Sequence, residues 1–303
     1  MRKTLSFILL MSSPALAGTV DAPVVGGHAA TLGEWPEVAL VVAPQALCTG
    51  TLVASDVVLT AGHCIDTHPF EVLIGTVDYA HPGGEKIAVA SAVAYPDWQH
   101  AYDVGVLVLA HPATAKPRAI AGACTIREHL TGGARVQLVG FGLTTASGTG
   151  DNSKLNEAML AVTDARCTES PACNTAIAPD GEFAAGGRGT DSCFGDSGGP
   201  IYVPTAHGAA LAGVVSRGLG TQGAPCGGGG VYERADKVVK WIEQTTHRTL
   251  ARTVCDSKAD EQAGDGDAEA GGGCSAGGGL AGGALLALAG LGMLARRREA
   301  RLR

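Results

Sequence analysis

The chain has 303 residues, 46% of them hydrophobic and 17% charged, which is enough apolar material for a full buried core and too little charge for a disordered polymer. Its formal net charge of -7 leaves no general basic surface for neutralising phosphates, so nucleic acid is not an expected partner. No self-similarity at the periods of solenoids is visible, which excludes a stacked repeat.

In chain order, residues 1–17 read as a secretory signal: Arg2 and Lys3, the apolar run "LSFILLM", then "ALA" at a peptidase site. A buried N-terminal helix is the alternative for the same run. Cleavage after Ala17 predicts an exported protein and leaves residues 18–23, "GTVDAP", as a short propeptide. From Val24 to Cys255, short apolar runs recur between turn residues: "EVALVV", "DVVLTA", "EVLIGTV", "KIAVASAVAY", "VGVLVLA", "RVQLVGFG", "AMLAVTD", "PIYV" and "LAGVVSRG". Regular short strands with Gly, Pro and Asp punctuation predict an all-β sandwich or barrel rather than βαβ units. One helix is predicted over 235–246, with Val238, Trp241 and Ile242 on one face and Asp236 as its cap.

Residues 256–273 carry six acids and one lysine with nothing to fold around, so they read as a solvated linker. Residues 274–303 begin at Cys274, continue through 16 apolar or Gly residues from Leu280 to Ala295, and end in "RRREARLR". This tail resembles the MYXO-CTERM type of sorting signal, which implies retention in the cell envelope and processing near Cys274. An ordinary single-span membrane anchor remains the alternative.

Three motifs between the ends carry chemistry. "TAGHC" ends a strand-like run at His63, "YDVGVLVLA" puts Asp103 at the head of an apolar strand, and "GDSGGP" puts Ser197 in a tight turn. Each alone has an ordinary structural explanation; together they match one reaction. A serine hydroxyl needs a base to become nucleophilic, imidazole titrates near neutral pH, and a carboxylate fixes its tautomer. The glycines beside Ser197 leave the backbone N–H groups of Gly195 and Ser197 free to face an oxyanion.

With "VVGG", "TAGHC", "DVGVLVL", "GFG", "GDSGGP", "SRG" and "GVY" in order, residues 24 to about 247 resemble the chymotrypsin/trypsin family of serine proteases. The resemblance implies two six-stranded antiparallel Greek-key barrels with a C-terminal helix. It also implies an endopeptidase acting through an acyl-enzyme on polypeptide substrates, as a monomer without a cofactor. His63, Asp103 and Ser197 take the triad positions, and Ser216 the supporting serine. Asp191 takes the floor of the primary pocket, implying cleavage after Arg or Lys, with Gly218 and Gly230 as its walls. Val24 and Asp196 match the pair formed when a new N-terminus inserts. Pro23 before Val24 departs from the usual basic residue, so another, activating protease is expected there. Arg217 replaces the family's tryptophan, adding a cation that either favours acidic residues at outer subsites or shields Asp191. The following Gly-rich segment, "GLGTQGAPCGGGG", predicts a mobile outer loop of the pocket.

Of nine cysteines, the resemblance pairs Cys48 with Cys64 and Cys193 with Cys226. Cys167 with Cys173 is a local expectation, and Cys124 with Cys255 would leave Cys274 unpaired for sorting. No zinc-site spacing is present, and the loop that binds calcium in some relatives offers only Asp78 and Glu85, so no metal is expected. A catalytically silent homologue acting as a surface binding module, and a protease of broader preference, are the competing readings.

Overall fold

The computed structural model describes residues 24–254, apart from 82 and 207. The signal, propeptide, linker and sorting tail expected for 1–23 and 256–303, with Cys255 and Cys274, lie outside the described residues.

A two-residue strand, β1 (His28–Ala29), precedes two barrels. The first contains β2 (Val38–Val42), β3 (Leu47–Ala54), β4 (Val57–Thr60), β5 (Glu71–Ile74), β6 (Glu85–Ala94) and β7 (Gly105–Leu109), closed in the order β2-β3-β4-β7-β6-β5. The second contains β8 (Arg135–Gly140), β9 (Asn156–Asp164), β10 (Glu182–Ala185), β11 (Pro200–Thr205), β12 (Gly208–Gly218) and β13 (Gly230–Arg234). Its order is β9-β10-β13-β12-β11-β8, and β8 closes back on β9. Every pairing between these strands is antiparallel. Both rings therefore share one Greek-key path, and closure leaves few edges unpaired.

Burial explains why the strands read as apolar runs rather than alternating ones. Along β2, Ala39 and Val41 join one cluster with Leu52, Val72 and Leu107, while Val38 and Leu40 turn to another that also holds Val139, Phe141 and Val214 of the second barrel. Strands at the seam are thus buried on both faces. The seam also contains a paired charge. Glu37, 1% exposed, accepts from Arg118 Nε at 2.7 Å and from the Tyr202 hydroxyl at 2.6 Å, and the guanidinium lies over the stacked rings of Trp35 and Tyr202.

Among the described residues, three helices punctuate the strands: α1 (Gly62–Ile65), α2 (Ala123–His129) and α3 (Val239–Thr246). The helix predicted over 235–246 is broken at its start, with a 3-10 turn at Ala235–Lys237 before α3. Asp236 does not cap it, because both its oxygens accept from Arg234. β3, β10, β13 and α2 were not among the predicted elements. In the three strands the buried apolar residues, such as Leu52, Phe183 and Tyr232, are interrupted by buried Thr49, Thr51, Glu182, Gly230 and Glu233, which breaks up the apolar run.

Arg118→Met would leave the Glu37 carboxylate buried with Tyr202 as its remaining side-chain donor; we expect a loss of roughly 3–5 kcal/mol in urea unfolding, as for a broken buried pair.

Candidate active site

β4 delivers His63 through the single turn of α1, and Asp103 precedes β7, the strand paired with β4 in register Thr60 to Gly105. Sheet pairing therefore brings the two side chains to one end of the barrel. Asp103 Oδ2 accepts from His63 Nδ1 at 2.8 Å, and Oδ1 from the His63 backbone N–H at 2.9 Å. Gly62 makes this approach possible, since a Cβ there would lie 3.1 Å from Asp103 Oδ1 and 2.8 Å from Trp98 Cβ. From the second barrel, the Ser216 hydroxyl donates to Asp103 Oδ2 at 2.8 Å. Burial pushes the Asp103 carboxyl up, but these hydrogen bonds and the imidazole outweigh it and hold it below its ordinary range.

Ser197 lies in the turn before β11. The Asp196 N–H donates to the Cys193 carbonyl at 3.0 Å and the Gly199 N–H to the Asp196 carbonyl at 2.8 Å. Gly195 has φ +103°, and a side chain there would meet the Phe141 carbonyl at 2.9 Å. The Thr49 hydroxyl fixes the turn from the first barrel, donating to the Gly195 carbonyl at 2.7 Å and accepting from the Phe141 N–H at 3.1 Å. Among the described residues, the N–H groups of Gly195 and Ser197 donate to no protein acceptor.

Three cavities meet at His63. One of about 560 Å³ reaches over Leu47, Leu143, Phe194 and Ser197; one of about 570 Å³ over Trp98, Asn174, Arg217 and Glu233; and one of about 320 Å³ is walled by Ser192, Ser197, Val215, Gly218 and Cys226. Gly218 and Gly230 face each other across β12 and β13. Asp191 lies fully buried behind Ser192. Its carboxylate accepts from the Ser192 N–H and hydroxyl and from the N–H groups of Gly227 and Gly229, at 2.7–3.3 Å. Burial pushes it up to about 6 against those bonds. In the Gly-rich segment beyond, Thr221 and Ala224 pair in a closed turn, and the Leu219 N–H donates to the Gly229 carbonyl.

Arg217 does not contact Asp191 among the described residues. Its Nε and Nη2 donate to the Ala172 carbonyl at 3.1 and 2.6 Å, Nη2 also to Glu182 Oε1 at 2.6 Å, and Nη1 to the Ser216 hydroxyl at 3.1 Å. Glu233 Oε1 lies 3.7 Å from Nη1. The guanidinium is thus tied to its own chain by four hydrogen bonds while still lining the cavity beside His63. Glu182 and Glu233, directly opposed across β10 and β13 and both buried, had no signal in the sequence as site residues.

Val24 and Asp196 are both fully buried, Val24 with Val136, Leu138 and Leu160 of the second barrel. Asp196 accepts from the N–H groups of Gly142 and Cys193, each at 2.8 Å, and burial pushes it up to about 7.

Cys48–Cys64, Cys167–Cys173 and Cys193–Cys226 are bonded as expected. Two groups with metal-ligand proximity, around His63 and around Glu182, consist otherwise of these cysteines, whose sulfurs are held in the disulfides. Asp78 pairs with Lys154, and Glu85 accepts from Thr114. No helix among the described residues is long and apolar enough to cross a membrane.

The Asp196 carboxyl ionises near 3.8 in an open chain and near 7 in the folded one, so the fold retains the extra proton between those values. Its contribution is fully present below about pH 4 and is lost as pH rises through 7, by roughly 4 kcal/mol. Urea titrations of the uncleaved chain from pH 4 to 8 should show this decline, and Asp196→Asn should make it shallower, leaving the part that Asp191 contributes.

A family model described as Trypsin matches residues 24–242. Among similar proteins is Phenoloxidase-activating factor 3 of Holotrichia diomphalia, 29% identical over 266 residues, which cover 74% of this chain and 72% of that protein. Two closed six-stranded barrels and a family match spanning both place this chain in the trypsin family of serine proteases.

Proposed function

We propose that the chain is an exported serine endopeptidase that hydrolyses peptide bonds through an acyl-enzyme on Ser197. One observation carries the reading: His63 is clamped by Asp103 through both its ring Nδ1 and its backbone N–H, beside a serine whose neighbouring N–H groups are unspent. With Nδ1 donating to Asp103, Nε2 is the nitrogen left to take the Ser197 proton and later return it to the leaving amine. The N–H groups of Gly195 and Ser197 would stabilise the oxyanion, each such donor being worth about 3 kcal/mol.

Asp191 supports cleavage after Arg or Lys, because a cationic side chain entering from the 320 Å³ cavity would neutralise a buried carboxylate that has only dipolar partners. The burial of both Val24 and Asp196 supports activation by cleavage after Pro23. The new ammonium would give Asp196 the counter-charge that it has only as dipoles in the uncleaved chain. Pro23 makes self-cleavage by an Arg-specific or Lys-specific enzyme the wrong chemistry, which is why a separate activating protease is proposed. The signal and tail make export and attachment to the cell envelope part of the same proposal.

A fluorophosphonate probe should label the chain that begins at Val24 and not its Ser197→Ala variant; absence of label on correctly cut material would leave a silent binding homologue. Asp191→Ser should lower kcat/KM for Arg substrates by about 100-fold, the scale of an unpaired charge in a buried site, while leaving probe labelling nearly intact. Faster cleavage of Phe than of Arg substrates by the unaltered chain would refute the assignment of Asp191.

A further inference from the structure

The carboxylate that holds His63 is itself held by something that neither a lone serine nor an aromatic wall would supply. The Ser216 hydroxyl has one proton, and a guanidinium can only donate. Because Arg217 Nη1 donates to Ser216 Oγ at 3.1 Å, the proton of that hydroxyl is directed onto Asp103 Oδ2, 2.8 Å away. Arg217 is fixed in turn by Glu182 Oε1 and the Ala172 carbonyl. Glu182 Oε2 accepts from the Asn174 N–H at 2.7 Å, and the Asn174 side chain donates to the His100 and Ala101 carbonyls, on the loop leading to Asp103. The chain of contacts thus starts and ends beside the same carboxylate.

We propose that Arg217 is a positioning residue for the Ser197 reaction: anchored by Glu182, it orients the Ser216 hydroxyl and so fixes Asp103 against His63. The inference rests on the endopeptidase reading for its kinetic meaning but not for its structural one.

Charge accounting supports it. The groups facing this network are Asp103 and His63 from the first barrel, Glu182 from β10, Arg217 from β12 and Glu233 from β13. Neither oxygen of Glu233 has a hydrogen-bond partner among the described residues, and burial, then the charges of Glu182 and Asp103, push its carboxyl well above the usual range. Asp103 and Glu182 thus face one guanidinium, and proton transfer from Ser197 to His63 adds a second cation beside Asp103. A hydroxyl polarised by Arg217 keeps Asp103 ionised for that moment.

The test is Arg217→Met in the full chain, before and after cleavage ahead of Val24. Three readouts are expected. The low-field proton NMR resonance of His63 Nδ1–H should move upfield or broaden. The acid limb of kcat/KM should shift to higher pH, because a cation near the imidazole has been removed. On a single-residue Arg ester, kcat should fall about tenfold with little change in KM, the scale of one charge-assisted hydrogen bond. Arg217→Lys should restore part of each. If Arg217 were only a wall of the cleft, KM for extended peptides would change while the resonance, the limb and the ester kcat would not; that result overturns the proposal. Should Arg217→Met fail to fold with its glutamates unpaired, the triple variant Arg217→Met, Glu182→Gln, Glu233→Gln carries the same test without them. The NMR arm needs no turnover, so an inactive parent chain with an Arg217-sensitive His63 resonance would refute the endopeptidase reading and leave this one standing.

Discussion

Asp103 accepts hydrogen bonds from both halves of the molecule, two from His63 on the first barrel and one from Ser216 on the second. A buried carboxylate must be satisfied from every side, or it takes up a proton and stops ordering the imidazole. That requirement explains neighbouring features that otherwise look unrelated. It explains the absence of a side chain at residue 62 and the direction in which the Ser216 hydroxyl points. Thr49 makes a comparable tie in the opposite sense, reaching from the first barrel to hold the turn of Ser197 on the second. The candidate site is therefore a seam whose two edges each grip the other.

The interior holds more acid than its surroundings neutralise. Asp191 and Asp196 are buried on neutral dipoles, backbone N–H groups and for Asp191 the Ser192 hydroxyl, and both are pushed upward by burial. Each is complete only when a cation arrives from outside the domain, a substrate side chain in one case and a new N-terminus in the other under the proposed function. A third acidic site, the opposed Glu182 and Glu233, has its cation built in as Arg217. The same physical problem has two solutions here: cations still to come where the charge is used, and a resident cation where it is structural.

The sequence was informative where chemistry demands particular residue types at fixed places. His63, Asp103 and Ser197 lie in short motifs whose neighbours are constrained by close packing; His63 is hydrogen bonded to Asp103 and lines a cavity with Ser197. Strands whose inward positions are Val, Ile and Leu were equally visible. What could not be read were facts of register. Glu182 and Glu233 meet only because β10 pairs with β13, and nothing local to either residue announces that pairing. Arg217 was visible as a departure from its family, yet the glutamate that fixes it was not, because its place is a fact of register too. Asp236 shows the limit of capping rules, since a nearby arginine competes successfully for its oxygens.

The two rings share one strand path although their sequences show no repeat, and the strand ladder of each closes within itself. Strand order can outlast sequence similarity, because closure constrains topology and not residue identity, so an ancient duplication would leave this trace and no other. It also divides the molecule's robustness unevenly. Within a ring, displacement is resisted by the whole ladder; between rings, it is resisted by side chains and a few backbone hydrogen bonds, such as those from the Thr49 N–H to the Ser197 carbonyl and from the Tyr79 N–H to the Ser153 carbonyl. A small slip at the seam would part Asp103 from Ser216 while both barrels remained intact. Heat or denaturant should therefore separate loss of function from loss of secondary structure, with function the first to go.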